Sequence, residues 1–273
     1  MEREDGGHLA AIDFGGSGAT ALLVPGAGLN GLCFAPLADA LSDSLRCVGL
    51  DLSGHGRSEP PPLVGWPVFV DDVLVASREL GAGMIGVGHS LGASALLAAA
   101  AARPGSFAAL FCYEPVVIDD AASGRVRGDA NARIARRRRP KFASRDEAFE
   151  RFSTRPPFST FDPGALAGYL EEGLVEGENG SVALACNPET EAAIYETAAD
   201  FDLLGLLDRV DCPVTIAFGG SSDVMTSARA EMIASRLSHG RIAPITGLDH
   251  FGPFNAPSPV AKALVAALRT PQA

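Results

Sequence analysis

The residues Gly88-His89-Ser90-Leu91-Gly92 place a serine hydroxyl between glycines at −2 and +2. An apolar run, Met84–Gly88, precedes the serine, and an alanine-rich stretch of helical character, Ser90–Arg103, follows it. A strand that turns at once into a helix holds its central residue in a strained backbone conformation, and glycines on either side let the neighbouring backbone pass. Ser90 is then presented at the carboxyl end of a strand. The start of the helix adds an N–H, that of Leu91, suited to developing negative charge. The chemistry that such a serine performs is nucleophilic attack on a carbonyl.

A serine hydroxyl is a poor nucleophile at neutral pH without a base. His250 supplies the candidate, in the glycine-flanked stretch Gly247-Leu248-Asp249-His250-Phe251-Gly252 after the last predicted strand. The other histidines fall in a first strand (His8), a loop (His55), the serine turn itself (His89) and a helix end (His239). The imidazole in turn needs a carboxylate to fix its tautomer. Asp223, in Gly219-Gly220-Ser221-Ser222-Asp223 after the strand Pro213–Phe218, is favoured because it gives the chain order serine, acid, histidine. Glu114, at the end of the strand Phe107–Tyr113, is the rival acid, and Asp223 has the competing role of capping the helix near Thr226. Asp249 is adjacent to His250 and poorly placed to reach its ring. A second oxyanion donor is expected from Val24-Pro25-Gly26-Ala27-Gly28, with the Ala27 N–H as the candidate and a plain turn as the alternative.

These loops need a sheet to carry them. Short β-like runs alternate with helical ones: His8–Phe14, Thr20–Val24, Arg46–Leu52, Met84–Gly88, Phe107–Tyr113, Pro213–Phe218 and Arg241–Ile245 against Phe34–Leu45, Pro67–Leu80, Ser90–Arg103, Ser227–Leu237 and Ser258–Leu268. That rhythm predicts a mostly parallel sheet covered by helices. It breaks over 118–208, where strand alternation is lost and arginine, proline and phenylalanine recur. The expectation is a core of 1–117 and 209–273 with a helical cap at 118–208. Phe142, Phe149, Phe152, Phe158 and Phe161 are predicted to form the cap's own core, with a pocket lining as the alternative. The run Arg136–Arg139 is read as a solvated helix face, the alternative being contact with an anionic substrate.

Bulk composition narrows the function class. The 273 residues are 47% hydrophobic with a formal net charge of −11 and a pI near 4.9, against a nucleic-acid binder and without electrostatic attraction to an anionic membrane. The acidic start MEREDGGHLA predicts no secretion signal, and no apolar run is long enough for a spanning helix. Five dispersed cysteines with no CxxC pair argue against zinc or redox chemistry and for a reduced, cytoplasmic setting. Monomer and homodimer both stay open.

Together these motifs resemble the α/β-hydrolase superfamily, as does Asp51-Leu52-Ser53-Gly54-His55-Gly56-Arg57-Ser58, which is similar to the family's D-x-x-G-x-G-x-S loop. The resemblance covers nearly the whole chain. It implies an eight-stranded, mostly parallel sheet flanked by helices, with a helical cap after the sixth strand. One departure is Pro25-Gly26, where the family commonly has His-Gly; proline lacks an N–H and fixes φ, which bears on the donor at Ala27. Serine at the elbow, where family epoxide hydrolases and dehalogenases carry aspartate, points to acyl chemistry. The expected function is hydrolysis of a carboxylic ester or lactone of a small to medium apolar substrate through an acyl-enzyme on Ser90, without metal or organic cofactor. The same triad also suits a thioesterase or a C–C bond hydrolase or lyase. A catalytically silent, ligand-binding relative is the alternative of another class.

Overall fold

The computed structural model describes residues 1–269. The first part of the chain runs β1 (Ala11–Gly16), β2 (Ala19–Val24), α1 (Ala35–Leu41), β3 (Leu45–Leu50), α2 (Trp66–Leu80), β4 (Met84–His89), α3 (Leu91–Ala102) and β5 (Phe107–Tyr113). An inserted segment follows, with α4 (Ala121–Arg136), β6 (Lys141–Phe142), α5 (Arg145–Ser153), α6 (Pro163–Glu172), β7 (Leu174–Glu176), β8 (Val182–Leu184) and α7 (Pro188–Thr197). The chain closes with β9 (Val214–Gly219), α8 (Ser227–Ala234), β10 (Gly240–Ile245), α9 (Gly252–Asn255) and α10 (Pro257–Arg269).

The main sheet has seven strands in the order β1-β3-β2-β4-β5-β9-β10, with β1 antiparallel to β3 and every other pairing parallel. Seven strands stand where eight were expected, and the insertion follows the fifth strand, not the sixth. The residues before β1 are tied elsewhere. Glu2 and His8 form an isolated bridge, and the Arg3 guanidinium donates to Ser53 Oγ at 2.7 Å and to Glu59 O at 2.8 Å. The segment therefore packs on the loop after β3 and adds no outer strand. The insertion is also not purely helical, since β6, β8 and β7 pair into a small antiparallel sheet.

Both faces of the main sheet are buried, which is why its strands read as continuous apolar runs. In β2, Leu22 and Val24 enter the core shared with α2, α3 and α8, while Ala21 and Leu23 enter the core shared with α1 and α10. That is the two-residue alternation of a strand. In α2, Trp66, Phe69, Val70, Val73 and Ala76 are buried at helical spacing, and the helix stops at Gly81, whose φ of 93° suits glycine. From Leu91 to Ala101 every residue of α3 is buried, so its small alanines let the helix lie between sheet and neighbours. Leu96 and Leu97 are wholly buried, and burial of each contributes roughly 1.5–3 kcal/mol. No described helix is long and apolar enough to cross a membrane.

After β2 the chain crosses to β3 on one side, and β4 returns on the other side of β2. The strand order thus reverses between β2 and β4, where Val24 lies in register with Gly88. A crevice opens at the carboxyl ends of strands at such a point.

Candidate active site

Ser90 occupies that reversal point. Its φ of 53° and ψ of −119° are the strained values that the sequence around it anticipates, and its N–H donates to Tyr113 O at 3.0 Å. The flanking glycines are required by contact. A Cβ on Gly92 would meet Val24 O at 2.2 Å and Pro25 O at 2.5 Å, and one on Gly88 would meet the Ala93 backbone at 2.4 Å. Ser94 fastens the far side of the turn, donating through Oγ to Val116 O at 2.9 Å and accepting from Val116 N–H at 2.8 Å.

His250 and Ser90 line one cavity, and the carboxylate on the His250 ring comes from Glu114. This corrects the expectation for Asp223. Glu114 Oε2 accepts from His250 Nδ1 at 2.7 Å and from Ser222 Oγ at 2.8 Å, while Oε1 accepts from Gly219 N–H at 2.9 Å. The Glu114 side chain is fully buried, and the residue sits directly past β5 with a φ of 49°. Asp223 lies in the exposed turn after β9, on the rim of the same cavity. Its turn still serves the site, through Ser222 and Gly219. The reason is topological: β5 and β9 are adjacent, so an acid at the end of either strand starts near the same loop. The backbone turn at Glu114 decides which one arrives.

Further contacts hold the histidine loop. His89 Nε2 donates to His250 O at 2.9 Å, and Tyr113 Oη donates to Asp249 O at 2.7 Å. A Cβ on Gly252 would strike that tyrosine oxygen at 2.2 Å. The Asp249 carboxylate is taken by Phe251 N–H and Asn255 Nδ2, both at 2.8 Å, away from the ring. Burial, and then the charge of His250, hold His89 well below the usual histidine pKa, so it serves as a neutral strut.

The loop after β2 places Ala27 on the same cavity as Ser90, and among the described residues the Ala27 N–H has no protein acceptor. Leu91 opens α3, whose first N–H groups have no partner within the helix. Both candidate donors therefore come to one site. Gly26 is pressed against it: a Cβ there would meet His89 Nδ1 at 2.7 Å and Ser90 Cβ at 3.1 Å.

A residue whose role the sequence did not suggest holds this loop. His55 Nε2 accepts from Gly28 N–H at 3.0 Å, so Nδ1 carries the proton and donates to Ser53 O at 3.1 Å. Burial keeps the ring neutral by lowering its pKa. The Asp51–Ser58 stretch exists to aim it. Asp51 accepts from Gly31 N–H at 2.7 Å and Arg57 N–H at 2.9 Å, and a Cβ on Gly56 would meet the Asp51 carboxylate at 2.2 Å. Buried Asp72, its pKa pushed up to about 6 by burial, accepts from Ser53 N–H and Oγ, both at 2.7 Å.

The cavity over Ser90 has a volume of about 530 Å³ and extends between the sheet's carboxyl edge and the inserted segment. Trp66, Val117, Ile118, Ile194, Met225 and Phe251 supply apolar walls. Trp66 Nε1 donates to Ile194 O at 2.9 Å, joining α2 to α7. Phe142, Phe152, Phe158 and Phe161 are buried against one another, but the first three also line a second cavity and Phe161 packs on Phe251 and Phe254 outside the insertion, whereas Phe149 is exposed. The Arg136–Arg139 run is mostly paired: Arg136 with Glu189 and Glu196, Arg138 with Glu191 and Tyr169 Oη, and Arg139 with Glu147.

Comparison with known proteins agrees with this architecture. The model of the alpha/beta hydrolase family matches residues 21–263. The chain is 39% identical over 92 residues to 2-(acetamidomethylene)succinate hydrolase of Mesorhizobium japonicum, covering 33% of each protein. It is 32% identical over 171 residues to lipase LipV of Mycobacterium tuberculosis, covering 61% of this chain and 62% of the lipase. The aligned stretches thus span a third and somewhat under two thirds of those relatives. Among solved structures, that of E-2-(acetamidomethylene)succinate hydrolase superposes with a TM-score of 0.81 at 25% identity, over 97% of this chain and 96% of that one.

Proposed function

The chain belongs to the alpha/beta hydrolase family, and from that premise we propose that it is a serine hydrolase cleaving a carboxylic ester or lactone through an acyl-enzyme on Ser90. The observation that carries this reading is the Glu114–His250 hydrogen bond beside the strained Ser90, on the wall of one cavity. His250 takes the Ser90 proton through Nε2 as Oγ attacks the carbonyl. Glu114 holds the proton on Nδ1, which leaves Nε2 free to accept, and stabilises the imidazolium that forms. The N–H groups of Leu91 and Ala27 receive the oxyanion. His250 returns its proton to the leaving group, and water repeats the sequence on the ester of Ser90. The apolar walls suit a substrate that is apolar around its reacting carbonyl. Residues 118–208 act as a cap whose α4 and α7 close the cavity from above.

The same attack on an amide is a second reading, favoured by similarity to a hydrolase whose name specifies an acetamido compound. A silent binding protein is less well supported, because such a protein has no use for a histidine ring fixed by a buried carboxylate.

The test is hydrolysis of p-nitrophenyl esters of increasing chain length, and of the matching anilides, by the wild type, Ser90→Ala and His250→Ala. The reading expects turnover that both substitutions abolish with folding intact. Turnover that survives Ser90→Ala, or a wild type that neither turns over nor labels at Ser90 with a fluorophosphonate, overturns it.

A further inference from the structure

A second cavity, of about 300 Å³, lies beside the first and shares Ala27, Ile134, Arg138, Glu191, Tyr195 and Phe251 with it. Its charge is unlike that of the chain. Four arginines line it (Arg138, Arg139, Arg151 and Arg155) against the single carboxylate of Glu191, on a protein whose formal net charge is −11. Glu191 is already engaged by Arg138, and Arg139 pairs with Glu147 at 2.6 Å while its guanidinium lies 4.9 Å from the Phe142 ring centroid. Arg151 and Arg155 differ: among the described residues neither guanidinium has an ion pair or a hydrogen bond. Elsewhere on the insertion, Arg125, Arg136 and Arg145 have carboxylate partners, while Arg127, Arg133 and Arg137 have no ion pair among the described residues but lie outside this cavity. Phe152 and Phe158, buried and in edge contact with ring centroids 4.9 Å apart, give the cavity an apolar wall beside half-buried Arg151 and exposed Arg155.

We propose that this cavity is a subsite for a carboxylate carried by the substrate, bound by Arg151 and Arg155 while the reacting carbonyl lies at Ser90. The proposal rests on the serine hydrolase reading for the position of that carbonyl, and adds that a substrate apolar at its centre is anionic at one end. Planar guanidinium groups suit a carboxylate, which accepts two parallel N–H bonds from one fork. A basic mouth on an acidic protein also draws an anion in, and the one carboxylate of the lining, Glu191, is paired with Arg138.

The experiment compares two ester pairs, so that the carboxylate is tried on either side of the scissile bond. p-Nitrophenyl hydrogen glutarate is set against p-nitrophenyl valerate, and 4-carboxyphenyl butyrate against phenyl butyrate. The proteins are the wild type, Arg151→Gln/Arg155→Gln, Arg151→Lys/Arg155→Lys and Arg127→Gln, the last removing an arginine of the first cavity. In the wild type one acidic ester is expected to exceed its neutral partner at least tenfold in kcat/KM, with the preference falling as salt rises. The preference drops towards one in the glutamine variant and returns in part in the lysine variant. Binding of the same four esters to Ser90→Ala, by calorimetry, repeats the comparison without turnover. It therefore decides the subsite even if the hydrolase reading fails. Equal treatment of acidic and neutral esters by the wild type overturns the proposal. So does a preference that survives the double glutamine variant, or one that vanishes with Arg127→Gln instead.

Discussion

Glu114 Oε2 sits 2.7 Å from His250 Nδ1, and the same carboxylate is clamped by Ser222 Oγ and the Gly219 N–H. The acid that orients the histidine therefore stands on β5, while β9 provides its clamp. Replacing Glu114 by glutamine keeps the shape and removes the acceptor that selects the tautomer. We expect kcat/KM to fall by roughly 10²–10⁴. Asp223→Asn, changing an exposed carboxylate on the rim, is expected to stay within about threefold, since exposed positions without partners contribute little. Steady-state kinetics on one ester distinguish the two acids, and the reverse ranking returns the role to Asp223.

His55 should act on rate through the loop it holds. In His55→Ala the buried Gly28 N–H loses its acceptor, at a stability cost of about 1–3 kcal/mol, and the Ala27 donor loses its fixed position. The expected kinetic result is a kcat lowered by about 10–100-fold with a smaller change in KM, because oxyanion donors act chiefly in the transition state. Urea unfolding at a temperature well below the transition separates the two effects. A variant that loses stability but keeps kcat shows the histidine to be a strut alone.

Stability should weaken with acid from a definite onset. His55 and His89 are both buried, and burial lowers the pKa of each below the ordinary 6.5. Below that value the unfolded chain binds protons that the folded chain does not, so their contribution is complete above pH 6.5 and is lost as pH falls through the lowered folded values. Each histidine adds a slope of up to about 1.4 kcal/mol per pH unit in that window. Asp72 acts in the opposite sense: with a folded pKa of about 6 it favours the folded state below its ordinary 3.8, and that contribution disappears as pH rises through 6. Chemical denaturation between pH 5 and 8 measures the net slope. A flat profile, or His55→Gln leaving the slope unchanged, contradicts the assignment to the histidines.

The elbow glycines offer a steric test. Gly92→Ala drives a Cβ into two backbone carbonyl oxygens, which have no rotamer by which to yield. A loss of about 3 kcal/mol or more, or failure to fold, is expected. Gly83→Ala, where nothing lies within 4 Å but φ is 78°, isolates the cost of conformation, expected at about 1 kcal/mol. Equal melting temperatures for the two variants contradict the close approach at Gly92.

What the sequence by itself determined is whatever depends on neighbours along the chain. The turn at Ser90 is written in two glycines, an apolar strand and an alanine-rich helix, because each of those requirements is met within a few residues. The position of His250 after the last strand and of Ala27 after β2 followed from the alternation of elements, since a parallel sheet sends every strand's carboxyl end to the same edge. Tertiary structure decided the rest. Asp223 and Glu114 both end strands that pair with each other, and sequence order does not register that Glu114 turns at φ 49° into the His250 ring. Among the described residues the main sheet has seven strands, and the segment before β1 is instead tied through Arg3 to Ser53 and Glu59, some fifty residues away. The arginines that draw notice in sequence, Arg136–Arg139, are largely neutralised by glutamates from other elements, while Arg151 and Arg155, without an ion pair among the described residues, carry no local signal. Charge pairing, like the reach of a carboxylate, is a property of distances between elements, and spacing along the chain does not contain those distances.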